Sequence, residues 1–453
     1  MMNRAHSAGI VFFLIIAIIA APAWAQGILD NYCEAGLQNN LTIHRLNSDY
    51  QNALWAFTES KRTAGPTVDF SAGYTKYIRE PIDLAGGNTG EIADFLSQLQ
   101  TSTIKNGKFY YPNPNQYSSA IQLTQNIYNR QNQYNRQVKE ESSKAIASQL
   151  DDFKTELDAQ IRDAYFQYLQ ASELKLAMAR SVKIAQDNVD GILLQISQQK
   201  QTKEILYRAK ADLSNKEAQY RDWENACMKA QFNFNFILNR SFDERILIDS
   251  AYLFQPQHIY LLNNTRDTAY TGYHASYLKH NADAAGFQKR AIRSQATIPV
   301  VQLKATGGIS GSSINFNNKR LPYSTFEFSL KWNLFSNGVN SSRAKQAYFQ
   351  QQSLEAQYNS SLMQVALNER SAYSDIVTHL ANYQSSKAAY NNADIYFRAV
   401  RSKFDLQVAT ILELLDAEEQ LRQADANLIK WYYNLQFKLV GYQKTTGKKL
   451  KLE

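Results

Sequence analysis

The side chains best able to do chemistry in this 453-residue chain are few and scattered. Its six histidines, His6, His44, His258, His274, His280 and His379, form no HExxH or other metal-ligand spacing. The run Gly307-Gly308-Ile309-Ser310-Gly311 lacks the Gly-Lys-Ser/Thr of a phosphate loop and does not fit Gly-x-Ser-x-Gly, so it reads as a strand end and loop. Cys33 and Cys227 stand far apart. They could pair in an exported chain, or Cys227, on an apolar helical stripe, could be a buried free thiol. No set of nucleophile, base and oxyanion donors converges, so the sequence predicts no enzyme, no metal and no cofactor. One acidic pair stands out. Glu413 and Asp416 are three residues apart and share one helix face near a helix start, where the dipole favours acids whatever else they do.

The elements that must position these residues follow from the punctuation. The chain has 18 Gly and 8 Pro against 28 Tyr and 22 Phe, so turns are scarce and elements must be few and long. Charged residues at 20% and hydrophobic residues at 44% exclude a disordered chain. A mean hydropathy of −0.46 excludes a bundle of membrane-spanning helices. Residues 1–25 read as a secretory signal, with Arg4 ahead of an apolar core at 10–20 and Ala23-Trp24-Ala25 as the cleavage pattern. Without Arg4 the formal net charge falls from +8 to +7 and is spread along the chain. Lys448, Lys449 and Lys451 make its only dense basic run, a solvated tail rather than a nucleic-acid site.

No proline falls between 115 and 255 or between 323 and 453, so long helices can form there. Apolar residues step by three and four through Ile146, Leu150, Phe153, Leu157, Ile161 and Tyr165. That periodicity predicts a helix over about 126–200, on the order of 110 Å long at 1.5 Å per residue. A second helix over 204–239 carries Leu206, Ala209, Leu213, Tyr220 and Trp223, with a hairpin turn at 197–203. The second half repeats the plan, with helices at 340–404 and 411–440 joined through 405–410.

Period-two alternation predicts four strands, at 66–78, 116–127, 299–309 and 323–335. In the last, Phe326, Phe328, Leu330, Trp332 and Leu334 fall on one face and Glu327, Ser329, Lys331 and Asn333 on the other. A soluble half-buried sheet and a transmembrane barrel with a wet lumen both fit this pattern. The export signal and the aromatics at the strand ends (Tyr74, Tyr77, Tyr323, Trp332) favour the barrel, with the apolar set facing lipid and the polar set facing the lumen.

The order helix, strand, loop, strand, long helix, hairpin, helix occurs twice: repeat 1 over 26–240, a linker at 241–270, repeat 2 over 271–441, then a basic tail at 442–453. Pro66 and Pro299 are 233 apart, Ala164-Tyr165 and Ala372-Tyr373 are 208 apart, and Ile205-Leu206 and Ile411-Leu412 are 206 apart. About 25 extra residues therefore lie in the repeat 1 loop at 79–115, where 91–99 has the pattern of a short amphipathic helix. Four strands cannot close a transmembrane barrel, since the smallest have about eight. Several chains must share one, and three give twelve strands.

Leu334-Phe335-Ser336-Asn337-Gly338, Arg401-Ser402-Lys403-Phe404 and Ala409-Thr410-Ile411-Leu412-Glu413-Leu414-Leu415-Asp416-Ala417 resemble the TolC-type outer-membrane efflux and secretion channels. The likeness extends over essentially the whole chain after the signal, more loosely in repeat 1. It implies a mainly α protein with a small transmembrane β part: a homotrimer with a 12-stranded barrel among outer-membrane lipids and a long helical tunnel through the periplasm of a Gram-negative bacterium. It implies the exit duct of a tripartite efflux or type I secretion system, a passive conduit opened at its periplasmic tip. An inner-membrane transporter and a periplasmic adaptor would meet the hairpin tips.

The resemblance makes Glu413 and Asp416 an acidic ring at the tip, six carboxylates that favour cations, with Tyr207 and Lys210 aligned to them in repeat 1. Phe404, Leu406 and Gln407 fall at the constriction. Gln407 stands where family members often have Gly, and Ala409 where some have a gate-locking Arg, so closure is expected to rest on apolar packing of Phe404 and Leu406. Straight helices would set Cys33 and Cys227 at heights about 20 Å apart, against a disulfide. A coiled-coil scaffold without a pore is the other reading of the same periodicities.

Overall fold

A computed structural model describes residues 27–78, 82–83, 103–105, 108–110, 115–254, 272–311 and 321–447. The expected signal and the 91–99 helix lie outside the described residues. Helix α1 (Ile28–Asn39) gives way to α2 (Leu41–Arg62) at Asn40, whose extended backbone interrupts the helix while its side chain accepts from the Thr42 and Ile43 amides. That is an N-cap. Strand β1 (Thr67–Lys76) follows. Where the sequence predicts only loop, β2 (Ile82–Asp83), β3 (Thr103–Lys105) and β4 (Lys108–Tyr110) make a small sheet of their own in the order β2-β4-β3.

Strand β5 (Asn115–Tyr128) leads into α3 (Arg130–Ser197), which turns at 198–202 into α4 (Lys203–Ile237). The second half runs α5 (Tyr273–Thr297), β6 (Val300–Gly311), β7 (Leu321–Lys331), α6 (Val339–Asp405), a turn at 406–410, and α7 (Ile411–Thr446). With 68 and 67 residues, α3 and α6 each extend about 100 Å. Helix α7 ends at Thr446, with Tyr442 and Thr446 buried. The expected tail at 442–453 therefore begins inside a helix, because Tyr442 joins Leu435, Ile376 and Leu380 in a core cluster.

The main sheet is antiparallel in the order β1-β5-β6-β7. Directly paired residues share a face, so the register sorts the side chains. Phe70 pairs with Ile121, Ile121 with Gly307, Leu303 with Phe328, and Val301 with Leu330. One face is thus apolar across all four strands. The other carries Asp69, Gln122 and Thr306, and the opposite charges of Lys304 and Glu327.

The alternation holds for Phe326, Phe328, Leu330, Glu327, Ser329 and Lys331, but β7 stops there. Trp332, Asn333 and Leu334 lie beyond the strand, because β6 begins at Val300, which pairs with Lys331 and leaves nothing for them to pair with. Trp332 Nε1 instead donates to the Ala296 carbonyl. Two of the aromatics expected in the lipid girdle belong to the polar face. Tyr323 pairs with Gly308, where a Cβ would lie 2.6 Å from the Ser119 carbonyl and 3.0 Å from the Tyr323 ring, so that close approach requires glycine. Tyr77 bonds Gln116, which pairs with Thr75 on the polar face.

The main core lies midway along the helices, around Leu157, Ile161, Tyr165, Phe166, Leu169, Phe234, Leu428, Tyr432 and Tyr433. The linker's described part, 241–254, is docked here rather than loose. Tyr165 Oη donates to the Leu247 carbonyl and accepts from the Asp249 amide at 2.7 Å, and Tyr32 Oη accepts from the Leu247 amide at 2.8 Å. Tyr433 and Tyr432 donate to the Tyr252 and Leu253 carbonyls. Phenols reach the backbone of a segment with no ladder of its own, which gives the abundant tyrosine a structural role. Cys33 and Cys227 are both free, and burial pushes the Cys33 thiol well above its ordinary pKa.

Both hairpin turns close alike. The Lys200 amide bonds the Gln195 carbonyl at 2.9 Å and the Val408 amide bonds the Lys403 carbonyl at 2.8 Å, with Gln199 (φ 57°) and Gln407 (φ 62°) left-handed between them. Each is a helix C-cap in which a residue with a Cβ carries a cost of about 1 kcal/mol. Gln199→Gly and Gln407→Gly are each expected to stabilise the chain by up to about 1 kcal/mol, seen as a raised thermal unfolding temperature. Gln407→Val is expected to lower it.

Candidate functional site

The hairpin turns fold onto one apolar knot. Val189 and Ile192 of α3, Ala209 of α4, Val400 and Phe404 of α6, and Ile411, Leu414 and Ala417 of α7 pack together. Phe404, expected at the constriction, is only 7% exposed inside this knot. Its position in the helical stripe aims it between the helices of its own chain, where it packs in the knot. Leu406 points outward at 73% exposed, beside Val408 at 74%. Gln407 is the turn residue between them.

The acids stay at the tip, and local chemistry accounts for part of their placement. Thr410 N-caps α7 and its Oγ1 accepts from the Glu413 amide, while Glu413 Oε2 accepts from the Thr410 amide at 2.7 Å. This is a reciprocal capping box. The Thr410 donors hold the Glu413 carboxyl below its ordinary pKa. Asp416, exposed one turn on, accepts from Gln420 at 2.7 Å.

The structure moves the register of the repeat. The two N-caps are Thr202 and Thr410, and the two left-handed turn residues are Gln199 and Gln407, both pairs 208 apart. The 206-residue spacing of Ile205-Leu206 and Ile411-Leu412 is therefore two residues out. The repeat 1 counterparts of Glu413 and Asp416 are Ile205 and Arg208, not Tyr207 and Lys210. Ile205 packs against the knot, and Arg208 is exposed.

About two turns into α7 lies a polar cluster that the sequence reading missed. Glu418 is 2% and Lys216 3% exposed, and the two are ion-paired. Asn188 donates to Glu418 Oε2 at 2.9 Å and accepts from Arg401, while Asp212 lies 2.9 Å from the Lys216 ammonium. One residue or more from each of α3, α4, α6 and α7 thus joins a single buried network. Burial pushes the Glu418 carboxyl above its ordinary pKa, against the pull of Lys216 and the Asn188 amide.

The signal was present. Ile411, Leu414, Glu418 and Leu421 step by three and four, as do Ala209, Leu213, Lys216 and Tyr220. A charge in an otherwise apolar seam specifies register at some cost in stability.

Removing one partner strands a buried charge. Lys216→Met is expected to destabilise the chain by about 3–5 kcal/mol, whereas Lys216→Met with Glu418→Leu is expected to be near neutral or stabilising by roughly 1–4 kcal/mol. Denaturant unfolding of the helical signal measures both.

Three comparisons bear on this geometry. Residues 278–448 match the family model described as Outer membrane efflux protein. The Outer membrane protein TolC of Vibrio cholerae serotype O1 is 21% identical over 95% of this chain and 93% of its own length. Among solved structures, the outer membrane protein VceC of Vibrio cholerae superposes with a TM-score of 0.75 at 15% identity, covering 93% of this chain and 97% of that one. The open state of the Neisseria gonorrhoeae MtrE outer membrane channel gives 0.76 at 15% identity, covering 94% and 90%. Long helical hairpins carrying a four-stranded sheet, a sequence match through the second repeat and a likeness along the whole fold agree: residues 278–448 match the outer membrane efflux protein family, and the whole chain resembles its TolC-type channels in fold.

Proposed function

We propose that this chain is one third of a passive outer-membrane duct, serving a tripartite efflux or type I secretion system. The observation that carries the reading is the open sheet. Among the described residues, β1 and β7 each pair on one side only. Phe70, Phe326 and Phe328 stand 71%, 83% and 69% exposed on the one apolar face. Unpaired edges are not tolerated in hydrocarbon, and three copies joined edge to edge give a closed barrel of twelve strands. The apolar face then meets lipid, and Lys304, Glu327 and Ser329 line water. A pore-free coiled-coil scaffold leaves that apolar face without a solvent.

The roughly 100 Å helices carry the lumen into the periplasm. Exposed Leu406 and Val408 offer the apolar contact for a periplasmic adaptor and the inner-membrane transporter behind it. Glu413 and Asp416 of three chains place six carboxylates at the mouth, an arrangement that favours cations. Leu406 and Gln407 remain with the gate, and Phe404 is assigned to the knot beneath it.

The test is reconstitution in planar bilayers. Membrane-extracted protein is expected to run as a heat-sensitive trimer and to conduct ions with a cation preference. Glu413→Gln with Asp416→Asn is expected to reduce that preference, and the glutamine can still accept in the capping box. A monomer without conductance would overturn the duct, and unchanged selectivity in the double variant would overturn the acid ring alone.

A further inference from the structure

Among the described residues, imidazole and carboxylate donors from three side chains converge at one place, remote from the tip. His280 and Asp283 stand three apart on α5, and Glu141 faces them from α3. Glu141 Oε2 is 2.7 Å from His280 Nδ1, and one donor atom from each residue lies within 4.8 Å of the others. Ligands held at about 2.0–2.2 Å by a single zinc are up to about 4.4 Å apart, so rotamer adjustments close the set around one ion. Glu141 and His280 are partly buried and Asp283 is exposed. The backbone of the site is therefore fixed by packed helices while one side stays open to water.

The surroundings define the competition. Glu141 Oε1 is 2.8 Å from the Lys144 ammonium, which also reaches Glu140 at 3.1 Å. Together with the His280 contact, Lys144 holds the Glu141 carboxyl below its ordinary pKa, burial opposing. Glu141 is thus kept as a carboxylate with Oε2 turned to the imidazole. His274 and Asp152, 3.7 Å apart, link the same two helices but bring no third donor.

We propose that Glu141, His280 and Asp283 form a binding site for a divalent transition metal of the zinc class, tying the long helix of repeat 1 to the first helix of repeat 2. One imidazole with two carboxylates suits a borderline metal better than magnesium, which favours all-oxygen sets. The site lies within about 25 Å of the main sheet along α5. It is built by one chain and does not rest on the duct reading. The sequence showed no metal spacing because Glu141 is 139 residues from His280.

The test is calorimetric titration of the detergent-solubilised, chelator-stripped full chain with zinc chloride, beside a thermal melt. One zinc per chain is expected, with a raised unfolding temperature, and magnesium chloride is expected to give neither. His280→Ala and the near-isosteric, exposed Asp283→Asn are each expected to weaken zinc binding at least about tenfold. Lys144→Gln, which removes the competing ammonium, is expected to tighten it. Absence of zinc uptake, or uptake unchanged in both His280→Ala and Asp283→Asn, would overturn the site.

Discussion

A strand in hydrocarbon has no water to satisfy an open edge, and among the described residues the sheet ends in two open edges, at β1 and β7. Much else follows from that constraint. One chain supplies four strands with a single apolar face, so the proposed barrel would close only with copies related by rotation. Each copy would have to bring helices of matching length and direction for the proposed tunnel to close. The duplication provides them, with α3 and α6 at 68 and 67 residues, each turning into a return helix of 35 or 36. Interior proline would break helices of that length, and the chain has none in its long helices or their return helices.

Helices of this length also need something to set their register, because an apolar seam alone tolerates sliding by a heptad. Two devices along the bundle supply it. At mid-height, phenols of Tyr32, Tyr165, Tyr432 and Tyr433 fasten the 241–254 segment to the core. Near the tip, the Lys216–Glu418 pair with Asn188 and Arg401 joins four helices at one level. Both are polar contacts within apolar packing, where a slipped register would leave a buried group unpaired.

Most of the architecture was legible in the sequence because its signals are periodic. Long proline-free runs with three-four spacing predict the four long helices to within about six residues at each end, and period-two alternation predicts the four strands and most of their faces. What escaped was set by contacts between distant segments. Lys216 and Glu418 looked like breaks in two stripes until the fold put them face to face. Tyr323 looked like a lipid-girdle aromatic until β6 placed Gly308 under its ring. Phe404 looked like a gate residue until the turn at 406–410 folded Ile411 and Leu414 back against it in the knot. The repeat register was two residues out because an Ile-Leu pair recurs out of phase, whereas the caps and turn residues keep the true 208 spacing.

That corrected register bears on how the mouth can select ions. The two hairpins of a chain are alike in backbone and unlike in charge. Thr410 and Glu413 close a capping box, while Thr202 makes no side-chain cap and has Ile205 where Glu413 would be. Arg208 takes the place of Asp416, near Lys200, Lys203 and Lys210. Around the threefold axis of the proposed trimer, acidic and basic tips would alternate, and the mouth would not be a uniform ring of negative charge. Glu413 spends one carboxylate oxygen on its own helix start, whereas Asp416 is held only through Gln420. In the proposed trimer the field at the mouth is therefore set by Glu413 and Asp416 of one hairpin against Arg208 of the next, with Glu413 also fixing the helix start that presents both acids.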